Sequence, residues 1–406
     1  MVCNCISHMK VIPKQYAVPF WLVTLLFLLW GLANNMTDTL LSAFRKIMSM
    51  SDTQTTFIQF AFYGSYFCFA LPAALFIKKH SYKSGVLLGL GLYAVGAILF
   101  LPAAKAASYA FYLIAIYIMA GGCSVLETTA NPYILSMGPS ETATRRLNIA
   151  QAFNPFGSII GILLSKFFIL RDISLYSVSG TYTALGVVLV AVLVAMLFAK
   201  MPEGRDESEF SLRASFRRLL KDKKYTRGVL AQFCYVGAQI GVWSFTIRII
   251  MEELGITEAE ASGFYLATII GFCISRFVYT YLMRYFRPSR LLVVGGALSA
   301  ASTLFVVFSA GSGWGLVVGM ICISAFMSLM FPTIYGIALE DISMGEYPED
   351  AKIGASGLIM AILGGALLPM VQGVISDSFG VYLSYLVPFV CFLCVLAYAI
   401  RVGRKG

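Results

Sequence analysis

The stretch KMPEGRDESEFSLRASFRRLLKDKKYTR, residues 200–227, is a long hydrophilic segment carrying nine basic residues in the middle of a strongly apolar chain. Before it, apolar runs separated by polar or Pro/Gly punctuation fall at about 17–46, 54–78, 82–104, 107–137, 144–170 and 179–200. After it they resume at about 226–254, 258–286, 289–310, 313–341, 352–377 and 379–402. A helix needs roughly 20 apolar residues to cross about 30 Å of hydrocarbon, and each run meets that length. The pattern predicts an all-α membrane protein with twelve transmembrane helices in two pseudo-symmetric six-helix bundles, 1–200 and 226–406. A basic linker over 201–225 joins them.

Composition agrees. Of the 406 residues 59% are hydrophobic and 12% charged, against about 25% charged in soluble domains. The polar start Met1–Gln15 leads into an apolar run with no small-residue cleavage pattern after it, so the first helix is expected to stay as an anchor. The nine cysteines lie mostly inside apolar runs and there are two histidines, His8 and His80. Small apolar fillers are the expectation, with no metal and no cofactor.

The net charge of +10 is unevenly placed. With a cytoplasmic N-terminus, alternate links and both tails hold 23 of the 30 Lys and Arg residues, the opposite links five, and the membrane segments two, Arg248 and Arg276. The positive-inside rule then puts both termini in the cytoplasm and makes the basic link a topological signal and not a nucleic-acid surface.

The halves echo each other. Lys78, Lys79 and Lys83 after the second helix correspond to Arg284, Arg287 and Arg290 after the eighth, a displacement of roughly 205 residues. Asn131-Pro132-Tyr133 pairs with Phe331-Pro332-Thr333, and Ala33-Asn34 with Ala238-Gln239. Duplicated six-helix units place a substrate between halves, near the midplane, and expose it by rocking.

Two carboxyl groups lie well inside apolar stretches, Asp38 and Glu127. A carboxylate at membrane depth costs at least ~2.5 kcal/mol on insertion scales, so it marks a wet cavity, a partner cation or a proton pathway. An apolar medium favours the neutral acid, which suits proton exchange near neutral pH. Asp38 lies toward the outer end of the first helix and Glu127 toward the inner end of the fourth, so Asp38 should meet outside protons first. Around them stand neutral amides: Asn34, Asn35, Asn131, Asn148, Gln151, Asn154, Gln232 and Gln239. Groups that both donate and accept suit a polyhydroxyl ligand, although amides also join helices in membranes. Gln151 and Asn154, three apart, should share a helix face. Trp30, Tyr63, Phe153, Tyr235 and Trp243 lie on the same or neighbouring segments and offer faces for a pyranose ring. The small-residue runs Ala120-Gly121-Gly122, Gly354–Gly357 and Gly364-Gly365 fit close helix approach better than phosphate binding, since no strand precedes them.

The segments WGLANNMTD (30–38), IQFAFYGSYF (58–67), KKHSYKSG (78–85), LETTANPY (126–133), RLNIAQAFNPFG (146–157), AQFCYVGAQ (231–239) and SAFMSLMFPTIY (324–335) resemble the fucose:proton symporters of the major facilitator superfamily. That resemblance implies proton-driven import of a hexose, L-fucose first, with Asp38 and Glu127 as the protonatable pair and Asn35, Gln151 and Asn154 in the polar cavity. AQFCYVGAQ and SAFMS look more like the fucose members than the glucose/galactose members. The usual superfamily signature between helices 2 and 3 carries an aspartate that FIKKHSYKSG lacks. The rival expectations are a glucose/galactose permease and a non-transporting sugar sensor; no H-E-x-x-H or similar cluster supports an enzyme. A monomer in the bilayer is expected, with the sugar and the proton as its partners.

Overall fold

The computed structural model describes residues 11–48, 52–169, 174–201 and 212–404; the side chains of 34, 37–46, 52–56, 59, 166, 258 and 259 lie outside that description. Twelve spans follow in order: α1 Ala17–Ile47, α2 Asp52–Lys79, α3 Tyr82–Ala106, α4 Tyr109–Ser136, α5 Ser140–Ile169 and α6 Leu175–Phe198, then α7 Lys223–Leu254, α8 Glu258–Leu282, α9 Pro288–Val307, α10 Trp314–Met344, α11 Asp350–Phe379 and α12 Val381–Gly403. A separate helix, Leu212–Lys221, lies in the linker between α6 and α7. All twelve are long and apolar enough to cross a membrane. Serine hydroxyls of Ser81, Ser108 and Ser174 accept amides of the first turn and start α3, α4 and α6. Large apolar side chains such as Phe198, Phe308 and Val374 point outward, as lipid contact requires.

Backbones pack through glycine. A Cβ on Gly157 of α5 would come within 1.8 Å of the Leu28 carbonyl oxygen, and one on Gly31 of α1 within 2.1 Å of the Asn154 carbonyl oxygen. The second half repeats the device: a Cβ on Gly364 of α11 would meet the Phe233 carbonyl oxygen at 2.1 Å, and one on Gly237 of α7 the Leu368 side chain at 2.2 Å. The α1–α5 and α7–α11 contacts are therefore equivalents, and the glycine runs serve close approach.

Among the described residues five spans are interrupted, three of them over more than one residue. Helix in α5 stops at Gln151 and restarts at Asn154; in α10 it stops at Met327 and restarts at Met330; in α11 a 3₁₀ turn covers Ala361–Leu363. Pro155 and Pro332 sit just past the breaks in α5 and α10, where a missing N–H and a ring clash disfavour continuous helix. Apolar periodicity does not register these breaks.

The two halves meet along α5 at three successive levels from its linker-side end. Gly336 faces Thr144 so closely that a Cβ would lie 2.5 Å from its hydroxyl. Asn148 Nδ2 donates to Thr333 Oγ1 at 3.3 Å, and Arg276 Nη1 donates to the Gln151 carbonyl at 2.9 Å. On the other side, α2 packs along α11. The linker helix is bolted to the start of α11, because Asp350 accepts from Ser215 Oγ at 2.5 Å and from Arg218 Nε and Nη2 at 2.6 and 2.8 Å. Arg218 also stacks on Tyr347, 4.0 Å from the ring centre. The hydrogen-bonded Asp350 carboxylate raises the Arg218 guanidinium further above its ordinary value. The linker-side ends of the halves are thus in contact.

Candidate functional site

Helix α4 presents Glu127, Thr128 and Asn131, all buried, on its inner stretch. Glu127 is 3% exposed, and among the described residues no hydrogen bond of proper geometry reaches either carboxyl oxygen. The Asn131 side chain, one turn along, stands within hydrogen-bonding reach of the carboxyl, although among the described residues its Nδ2 makes no bond of proper geometry. Tyr66 of α2 and Tyr335 of α10 lie within electrostatic reach of the carboxyl, one from each half. Tyr335 and Tyr235 hydroxyls, Thr128 Oγ1 and Asn148 Oδ1 are likewise buried without partners. Burying a neutral acid costs far less than burying an anion with no counter-charge.

Asn131 joins the fourth and fifth spans, its Oδ1 accepting from Gln151 Nε2 at 2.8 Å. Asn154 takes another direction and donates to the Phe27 carbonyl of α1 at 3.3 Å. Ala152 and Phe153 form a turn between Gln151 and Asn154, with both backbones still in the right-handed helical region, and the two amides serve different neighbours. Asn35, 8% exposed, donates to the Gly31 carbonyl one turn back at 3.2 Å. Asp38 belongs to α1, nine residues before its end at Ile47, while Glu127 is nine residues before the end of α4 at Ser136; the two lie about 14 Å from opposite ends at 1.5 Å per residue. The Asp38 side chain lies outside the described residues.

The aromatic residues divide into two groups. Trp30 donates through Nε1 to the Tyr66 hydroxyl, and a Cβ on Gly365 of α11 would lie 3.4 Å from the ring of Tyr63 on α2, across the halves. Tyr235, Gln239 and Trp243 recur every fourth residue of α7 and so share a face. Tyr235 is fully buried beside Phe331, Gln239 is half-buried, and Trp243 Nε1 donates to Ser324 Oγ at 3.3 Å. Phe153 instead joins Trp21, Phe156 and Phe277 in a cluster whose Trp21 and Phe156 are exposed on the flank of the bundle.

Two buried arginines were not among the expected site residues. Arg146, fully buried, covers the carbonyl end of α4, with Nε on the Ile134 carbonyl at 2.7 Å and Nη2 on that of Leu135 at 2.5 Å. Arg276, 3% exposed, sits among the candidate residues, with Tyr235 in electrostatic contact. A lone cation in an apolar run is visible in the sequence, but the carbonyls it serves are not.

Residues 23–360 match the sequence model of the Major Facilitator Superfamily. The L-fucose-proton symporter of Haemophilus influenzae is 40% identical over 433 residues, covering 97% of this chain and 99% of that protein. A glucose/galactose transporter of Brucella abortus is 31% identical over 402 residues, with 97% and 96% covered. The crystal structure of the superfamily transporter FucP in the outward conformation superposes with a TM-score of 0.86 at 34% identity, over 96% of this chain and 99% of that one. With twelve spans, glycine contacts repeated between halves and full-length likeness to these proteins, the chain belongs to the Major Facilitator Superfamily and, within it, to the family that holds the L-fucose-proton symporters and the glucose/galactose transporters.

Proposed function

We propose that this protein carries a hexose, L-fucose first, across the membrane together with a proton, by alternating access, and catalyses no chemical conversion. The observation that carries the proposal is Glu127, a buried carboxyl group with no counter-charge among the described residues, set at the meeting of the two halves among uncharged hydrogen-bonding groups. A protonated carboxyl group both donates and accepts hydrogen bonds, so Glu127 in its neutral form can help to hold a neutral polyol. Asp38 receives the proton from the far side, and Glu127 in its protonated or hydrogen-bonding state helps to hold the sugar. Asn131, Gln151, Asn35, Asn154 and Gln239 supply hydrogen bonds, and Trp30, Tyr63, Tyr235 and Trp243 supply stacking surface. Phe153 shapes the outer flank.

The charge pattern favours a cytoplasmic side for the termini and linker, and likeness to bacterial symporters favours a bacterial inner membrane. The contacts that join the halves at the linker end then close the cytoplasmic side, and a site above them faces outward. The bodies that rock are 1–200 and 226–406, in a monomer within the bilayer. Fucose is preferred to glucose or galactose because identity is 40% to the first kind of relative and 31% to the second.

Uptake of labelled hexoses into proteoliposomes, with and without an imposed inward proton gradient, tests this. L-fucose should accumulate above equilibrium and lose that accumulation on adding a protonophore. Saturable uptake of glucose or galactose with none of L-fucose would favour the second transporter reading, and binding of sugar without any net uptake would favour a sensor.

A further inference from the structure

In an α-helix the carbonyl of residue i accepts from the N–H of residue i+4, and proline has none to give. Pro155 stands four residues after Gln151 and Pro332 four residues after Ser328, so two buried carbonyls lose their helical donors. Both are taken by one side chain. Arg276 of α8 donates through Nη1 to the Gln151 carbonyl at 2.9 Å and through Nε to the Ser328 carbonyl at 2.7 Å. Its plane stacks near Phe272, 4.7 Å from the ring centre, and Phe272 meets Trp243 edge-on at 5.1 Å. Among the described residues no carboxylate pairs with it.

We propose that Arg276 is a positioning residue of the sugar site, its guanidinium fork standing in for the two missing proline N–H groups. Holding the Gln151 carbonyl fixes the break in α5 and so aims the Gln151 amide at Asn131. Ser328 lies in the same half as Arg276, whereas Gln151 lies in the other. When the halves part on the linker side, the Gln151 bond is the one that breaks, and the aim of that amide is released with it. Opening toward the linker side and weakening of the sugar site become one event. This rests on the reading of the Asn131–Gln151 face as sugar-binding. Lysine replaces the fork only in part, since its three N–H groups radiate from one nitrogen and do not match two separated guanidinium nitrogens.

The test compares Arg276→Met and Arg276→Lys with wild type, and repeats Arg276→Met in a Pro155→Ala/Pro332→Ala background, where alanine N–H groups satisfy both carbonyls. L-fucose counterflow gives KM and kcat, and thermal unfolding in detergent gives Tm without any sugar. In the proline background, Arg276→Met should raise KM about tenfold, the worth of a lost buried hydrogen bond, with kcat within about threefold, and Arg276→Lys should fall between. In the alanine background the same change should move KM less than about threefold and leave Tm in place. Equal penalties on KM and Tm in both backgrounds overturn the proposal, since Arg276 would then act through its charge or by touching sugar. Pro155→Ala alone serves for the Gln151 contact if the double variant is not recovered. Should wild type show no saturable L-fucose exchange, the sugar reading fails, while non-additive Tm values would still establish the fork.

Discussion

Glu127 is held by what it lacks. Replacing its carboxyl by a carboxamide of the same shape keeps hydrogen-bonding capacity and removes the proton, so Glu127→Gln should abolish gradient-driven accumulation while the protein still folds, as measured by uptake and thermal unfolding side by side. Asp38→Asn should also lose uphill uptake but keep sugar counterflow, because its task is coupling and not holding the ligand. Asn131→Ala removes both the acceptor for Gln151 and an unpartnered buried amide, and should raise the KM for L-fucose about tenfold in counterflow, from one net hydrogen bond lost and one left unmade. The acid itself was legible in the sequence, since membrane depth singles out Glu127 without coordinates. The role of Arg276 was not: Pro155 and Pro332 reveal which carbonyls are orphaned, but only the packing of α8 against both breaks supplies the donor.

At the scale of the helix, the twelve spans follow directly from run length and hydropathy, because lipid demands that each segment satisfy its own backbone. Their interruptions do not, since an apolar run looks the same whether or not a turn divides it, and neither do the separate partners of Gln151 and Asn154. The glycine contacts make a sharper statement. Gly157→Ala drives a methyl group into the Leu28 carbonyl, and Gly364→Ala drives one into that of Phe233. Overpacking of this kind costs about 1–3 kcal/mol. Each substitution should lower Tm in detergent by a similar amount, as expected of equivalent places in a duplicated unit, and both should impair uptake.

Across the whole molecule, closure at the linker end depends on contacts that must later release. The Asp350 carboxylate, 4% exposed, holds Ser215 and Arg218 of the linker helix, which packs on α7 and α11 of the same half. Its tie to the other half is the electrostatic attraction of Lys78 at the end of α2, worth about 1 kcal/mol after solvent screening. Asp350→Asn should then shift the balance toward linker-side opening roughly fivefold. A cysteine placed at Thr144, which is buried against Gly336 in wild type, should react with a thiol reagent correspondingly faster in the Asp350→Asn protein. An unchanged rate would separate Asp350 from gating.

The central claim is that sugar and proton move together through the site built on Glu127. In de-energised membrane vesicles under a lightly buffered medium, adding L-fucose should raise the external pH as protons enter with the sugar, and the signal should vanish in Glu127→Gln. Fucose entry with no accompanying pH change, or the same pH change in Glu127→Gln, would contradict the account.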